Sequence, residues 1–169
     1  MKRIPVKKLS LMALLTAVAL ALHVIEAAIP SPVPIPGVKL GLANIITVCA
    51  VFSFGPGAAA MILIARILLG SLFAGQIMSL LYSLAGGLLC LLVMILLRRI
   101  VSPRQVWVCS VVGAVAHNLG QILVAMLVTG TPSIIVYLPV LLLSGIAAGL
   151  FTGLAAQAVL NHMEKLHHK

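Results

Sequence analysis

Few side chains in this sequence are able to do chemistry, and they fall where helices would gather them. His23 and Glu26 stand three residues apart, Lys39 and Asn44 follow, and Arg66 sits alone in an apolar run. Gln76 and Tyr82 come next, and His117, Asn118 and Gln121 form a second cluster. Ionisable groups at membrane depth cost about 2.5 to 3.5 kcal/mol on insertion scales, so those that persist face a protein interior or a wet cavity. Glu26 can neutralise only one of Lys39 and Arg66, and the surplus positive charge suits an anionic or zwitterionic small molecule. Lys39 adds to this by opening an apolar run whose free helix amides would attract an anion. The expected substrate-binding set is therefore Glu26, Lys39, Asn44, Arg66, His117, Asn118 and Gln121. A plainer role competes for each. Lys39 can snorkel to the headgroups, and buried amides and imidazoles can simply hydrogen-bond helices together, at about 0.6 to 2 kcal/mol per contact. A proton relay through His23, Glu26 and His117 is a third use of the same groups, although a lone carboxylate at one end makes it thin.

No Ser, His and acid constellation, HExxH or Walker sequence is present, so no catalytic residue is assigned. Cys49, Cys90 and Cys109 lack metal-ligand spacing and lie in apolar segments, where a thiol behaves as a small hydrophobe. Neither a metal nor a cofactor is expected.

The elements that must carry these residues follow from composition. With 63% hydrophobic residues, 8% charged and two acids in 169 residues, the chain cannot clothe a water-soluble globule. In lipid every backbone polar group must be satisfied internally, which leaves helices or a closed barrel. The apolar runs are continuous, about 20 residues long and without the alternation of barrel strands, so they read as spanning helices. The expected fold class is all-α: a polytopic membrane protein of six transmembrane helices in a single domain, residues 1–169. The helices are placed at about 9–29, 39–54, 58–73, 77–97, 105–128 and 134–160. The sixth is longer than a perpendicular span requires and should tilt or project.

The net charge of +9 is explained by position. Lys2, Arg3, Lys7 and Lys8 precede the first run, Arg98, Arg99 and Arg104 lie between the fourth and fifth, and Lys165 and Lys169 close the chain. An even number of spans puts these clusters on one side, the cytoplasm by the positive-inside tendency. The expected location is the plasma membrane of a prokaryotic type of cell, in contact with membrane lipid and not with nucleic acid. One alternative concerns the start: MKRIPVKK, an apolar stretch and Ala19-Leu20-Ala21 resemble a secretory signal with a cleavage site.

Helical geometry sharpens two faces. At about 100° per residue, Ala13, Ala17 and Ala21 form a smooth stripe, with Glu26 about 180° and His23 about 240° from Ala17. The fifth helix gathers His117, Asn118 and Gln121 beside Gly113 and Gly120. Gly145, Gly149 and Gly153 on the sixth form overlapping small-xxx-small units, a helix-packing signal.

The stretch PGVKLGLANIITV (36–48), with Arg66-Ile67-Leu68-Leu69-Gly70 and Ser83-Leu84-Ala85-Gly86-Gly87, resembles the family called heptaprenyl diphosphate synthase component I, also labelled the Gx transporter family. That family's six-helix plan is similar to the substrate-binding S components of energy-coupling factor transporters. The resemblance implies uptake of a vitamin-, flavin- or quinone-precursor-like anion, with a coupling transmembrane subunit and its ATPases as partners. It also implies that Ala13, Ala17 and Ala21 dock on that subunit and that the proline-rich segment 30–38 covers the substrate. The family's enzyme name implies the alternative of a membrane accessory subunit for isoprenoid or quinone synthesis. Catalysis itself is not expected, because prenyl diphosphate synthases hold magnesium with aspartate-rich motifs and this chain has no aspartate.

Overall fold

A computed structural model describes residues 5–28, 41–75, 77–102 and 105–167. Helices account for nearly all of them: α1 Val6–Ala28, α2 Leu42–Ser53, α3 Pro56–Ala74, α4 Ile77–Leu97, α5 Val106–Thr129 and α6 Leu138–His167, with a 3-10 helix at Pro132–Tyr137 before the last. The chain is an all-helical, multi-pass membrane protein. Five of the six α-helices are long and apolar enough to cross a bilayer, and leucines, isoleucines and phenylalanines such as Leu72, Phe73, Ile77 and Phe151 cover the exterior.

Helix ends follow local chemistry more than hydropathy. Pro5 offers its carbonyl to the amides of Lys8 and Leu9, so α1 starts before Leu9 and carries two lysines in its first turn. Gly55 turns the chain with φ +89°, and Pro56 opens α3 at a position where its missing amide costs nothing. The expected sixth span differs most. Its first residues wind as a 3-10 turn begun by Pro132, and α6 then runs past Leu160 to His167. Hydropathy ends where water begins, but Met163, Glu164, Lys165 and Leu166 are good helix formers and carry the helix onward.

The short helix is the centre. α2 has 12 residues, about 18 Å at 1.5 Å each, and does not cover a hydrocarbon core of about 30 Å. It packs against all five other helices, and only Ser53 among its residues is exposed. Protein encloses it, so its length need not match the bilayer. The tight turn at Gly55 aligns its far end with the start of α3, and α2 is seven residues shorter than α3 (12 against 19). It therefore stops about 10 Å short at the end where α1 finishes and α4 begins.

Below that shortfall the core is apolar. Met12, Ala50, Val51, Ile62, Leu63 and Leu91 pack α1, α2, α3 and α4 together. Val48, Cys49, Cys90, Met94, Val106 and Ala156 close α2 against α4, α5 and α6. This core fills the half of the bundle nearer residues 98–102.

Close helix approach is set by glycine. A Cβ on Gly149 would lie 2.7 Å from the Val111 Cα, and one on Gly153 2.7 Å from the Trp107 Cα, so α6 lies directly on the α5 backbone. At the α4–α5 crossing a Cβ on Gly120 would meet the Ala85 carbonyl at 2.8 Å. Polar bonds reinforce the α5–α6 pair. Gln157 accepts the Val106 amide at 2.8 Å, and Ser110 and Thr152 share a hydrogen bond of 3.0 Å.

Candidate functional site

The space left by the short α2 is a polar cavity. Its interior volume is about 60 Å³, room for a handful of waters at roughly 10 to 15 Å³ each. His23 and Glu26 of α1 line one side, with Gly41, Ala43 and Asn44 at the start of α2. Arg66 enters from the middle of α3 and Ser83 from the first half of α4. Ala114, His117, Asn118 and Gln121 of α5 and Gly145, Ala148, Gly149 and Thr152 of α6 complete the wall.

Of the seven expected binding residues, Glu26, Asn44, Arg66, His117, Asn118 and Gln121 line this one cavity. Lys39 lies outside the described residues, as do Gln76 and the proline-rich segment 30–38. Tyr82 is not among the lining residues. The expected set omitted His23, Ser83 and Thr152. His23 was visible as a polar residue at membrane depth, and the two hydroxyls were visible only as polar atoms within apolar runs.

Glu26 also has a task that the sequence did not suggest. Its carboxylate accepts the Gly41 amide on Oε1 and the Leu42 amide, at 3.1 Å, on Oε2. The anion at the mouth of α2 is thus supplied by the chain itself. A helix N-terminus carries about half a positive charge in orphan amides, and α2 has no cap from its own N-cap residue, because that residue is Gly41. Gly41 holds φ +72°, a left-handed conformation that favours glycine, and this turn aims its amide at the carboxylate. The side chain is 7% exposed. The bond ties the last turn of α1 to the first of α2 across residues 29–40.

Arg66 is the counterpart. It is 8% exposed, and its Nε finds no hydrogen-bond partner among the described residues. Burying a guanidinium donor unpaired is costly, and Arg66 is one of the residues that line the cavity. Gln121 Oε1 is buried and lacks a partner among the described residues in the same way. Asn118 behaves otherwise, since its Nδ2 donates to the Leu141 carbonyl of α6, so at least part of its role is to join α5 to α6.

Glycines make room for the imidazoles. A Cβ on Gly70 would approach His23 Cδ2 to 3.2 Å, and one on Gly86 would meet the His117 carbonyl at 2.8 Å and its Cε1 at 3.0 Å. Gly70 and Gly86 both lie in the motif segments Arg66–Gly70 and Ser83–Gly87. Among the described residues no group of three or more His, Cys, Asp or Glu side chains is gathered for a metal ion.

The two other proposed surfaces face away from the cavity or border it. Ala13, Ala17 and Ala21 are exposed on the outer side of α1, while Met12, Ala19 and Glu26 on its inner side are buried. Gly145 and Gly149 both touch α5 and line the cavity, whereas Gly153 only packs.

Comparison with known proteins places this geometry. The sequence profile described as heptaprenyl diphosphate synthase component I matches residues 15–159. The fold is similar to that of the S component of a bacterial ECF transporter, with a TM-score of 0.77 over 96% of this chain and 98% of that one, at 17% identity. No curated protein sequence matches the chain.

Proposed function

The chain belongs to the heptaprenyl diphosphate synthase component I family, and from that membership and its S-component fold we propose that it is a non-catalytic, substrate-binding membrane subunit for uptake of a small anion. The observation that carries the reading is the cavity over α2, which gathers His23, Glu26, Asn44, Ser83, His117, Asn118, Gln121 and Thr152 around one buried, incompletely paired arginine. Helix glue alone would pair those groups with each other. Here Arg66 Nε and Gln121 Oε1 have no hydrogen-bond partner among the described residues.

The proposal extends to topology and partners. Six spans, with both termini and the basic loop in the cytoplasm of a prokaryotic type of cell, would put the cavity in the outer half of the plasma membrane. The exposed face of Ala13, Ala17 and Ala21 is flat enough for a close helix–helix contact and is assigned to a coupling transmembrane subunit that works with ATPases. A vitamin-, flavin- or quinone-precursor-like anion is the ligand class this reading starts from.

The family description supports a second reading, a membrane accessory subunit of isoprenoid or quinone synthesis. Native mass spectrometry of the gently purified protein separates the two. A retained small anion, or copurifying coupling and ATPase subunits, is the expected result. A copurifying soluble prenyl synthase, with no ligand retained, would overturn the uptake reading.

A further inference from the structure

We propose that the cavity takes a small, non-aromatic carboxylate that also carries an O–H or N–H donor: a hydroxy, amino or amido acid, and neither a prenyl diphosphate nor a flavin-like ring. This rests on the binding-subunit reading and narrows its ligand.

Charge selects the acid group. Arg66 brings one guanidinium, 8% exposed, with its Nε buried and without a hydrogen-bond partner among the described residues. A guanidinium edge matches a carboxylate in a planar, two-bond fork. A phosphate makes the same fork, but its second charge calls for a second positive partner, and the other natural anion site is the α2 N-terminus. That place is already filled by Glu26 through the Gly41 and Leu42 amides. A second anion there would sit against a fixed carboxylate. A monoanion on Arg66 avoids this.

Gln121 selects the second group. Its Oε1 is buried without a partner among the described residues, and an amide oxygen only accepts. The ligand must therefore bring a donor to α5 while it presents its acid to α3. A simple carboxylate would leave that oxygen unsatisfied.

The walls select size and shape. The described lining residues are glycines, alanines, hydroxyls, amides, imidazoles, Glu26 and Arg66, with no leucine, isoleucine, valine, phenylalanine, tyrosine or tryptophan among them. Pockets for ring systems and drug-sized ligands are lined mainly by apolar and aromatic side chains and run to about 300 to 1,000 Å³. A prenyl tail would find no apolar wall among the described residues.

The test uses the full chain in detergent, followed by calorimetric titration and by the thermal unfolding midpoint. The probes are glycerate, serine and N-acetylglycine, their carboxamide analogues, propionate, inorganic phosphate, geranyl diphosphate and riboflavin. At least one of the three small acids should bind, with its carboxamide at least tenfold weaker, a comparison that needs no variant. Arg66→Lys, monodisperse and folded, should weaken that acid at least tenfold, because lysine keeps the charge and loses the fork. Gln121→Leu should weaken the same acid and bring it to the level of propionate. Riboflavin or geranyl diphosphate binding while the small acids are inert would overturn this inference and leave the binding-subunit reading standing. Silence of all three small acids with folded protein, or carboxamides binding as well as the acids, would also overturn it. The uptake reading fails separately, by the copurification result above.

Discussion

Glu26 and Gly41 stand fifteen residues apart in sequence, and the Gly41 amide donates to the Glu26 carboxylate, which also takes the Leu42 amide. One of the two acids in the chain is thereby spent on capping the helix that stands at the centre of the bundle.

Replacement of Glu26 should therefore act first on stability. Hydrogen bonds to a charged group contribute about 1.5 to 3 kcal/mol, and a lost N-cap costs about 0.5 to 2. Glu26→Gln keeps one acceptor oxygen and should lower stability by about 1 to 2 kcal/mol, and Glu26→Ala by about 2 to 3. Thermal unfolding in detergent measures the loss, and hydrogen exchange should show the Gly41 and Leu42 amides exchanging faster. Wild-type protection in Glu26→Ala would contradict the capping role.

The α5–α6 contact predicts a sharp contrast between glycines. Gly149→Ala places a Cβ within 2.7 Å of the Val111 Cα, a backbone atom that cannot swing aside, and should cost about 1 to 3 kcal/mol. Gly57→Ala has open space around its Cβ and should be neutral or stabilising by up to about 1 kcal/mol, through helix propensity alone. Unfolding midpoints of the two variants, measured side by side, check this.

Gly86→Ala tests the cavity wall. Its Cβ would press on the His117 carbonyl and Cε1 and on the Gln121 Cγ at 3.0 Å. Ligand affinity should fall more than tenfold in protein that still elutes as a folded species, because both displaced side chains line the cavity.

Gln157→Ala removes the acceptor of the buried Val106 amide. A buried donor left unpaired costs about 1 to 3 kcal/mol, so the unfolding midpoint should drop while ligand affinity, set by His117, Asn118 and Gln121 in the middle of α5, is unchanged.

Ala17→Leu should leave both fold and ligand affinity intact, since Ala17 is exposed and opposite the cavity face of α1. It should abolish copurification of a membrane partner. A partner that copurifies undiminished would place the docking surface elsewhere.

The class of protein and most of its elements were legible in the sequence, because transfer into lipid is a property of each residue and sums along a run. Hydropathy located every helix to within a few residues, and failed at Val6 and His167, where local propensity and Pro5 decide the ends. Six of the polar residues that line the cavity were legible too, since an amide or guanidinium in an apolar run has few places to go, whereas the hydroxyls of Ser83 and Thr152 were not. Lys39 and segment 30–38 belong to that reading and lie outside the described residues.

What each polar group does was decided only by tertiary structure. Nothing in the string shows that Glu26 is consumed by the Gly41 and Leu42 amides, that Asn118 turns to the Leu141 carbonyl, or that Gln157 caps α5 from the opposite helix. Nor does it show that the shortest helix is the central one, so that its missing turns become the cavity. A residue's cost in lipid depends on itself, whereas its partner depends on which backbone stands opposite. In this bundle that is set by glycines such as Gly120, Gly149 and Gly153, which let one helix lie directly on the next.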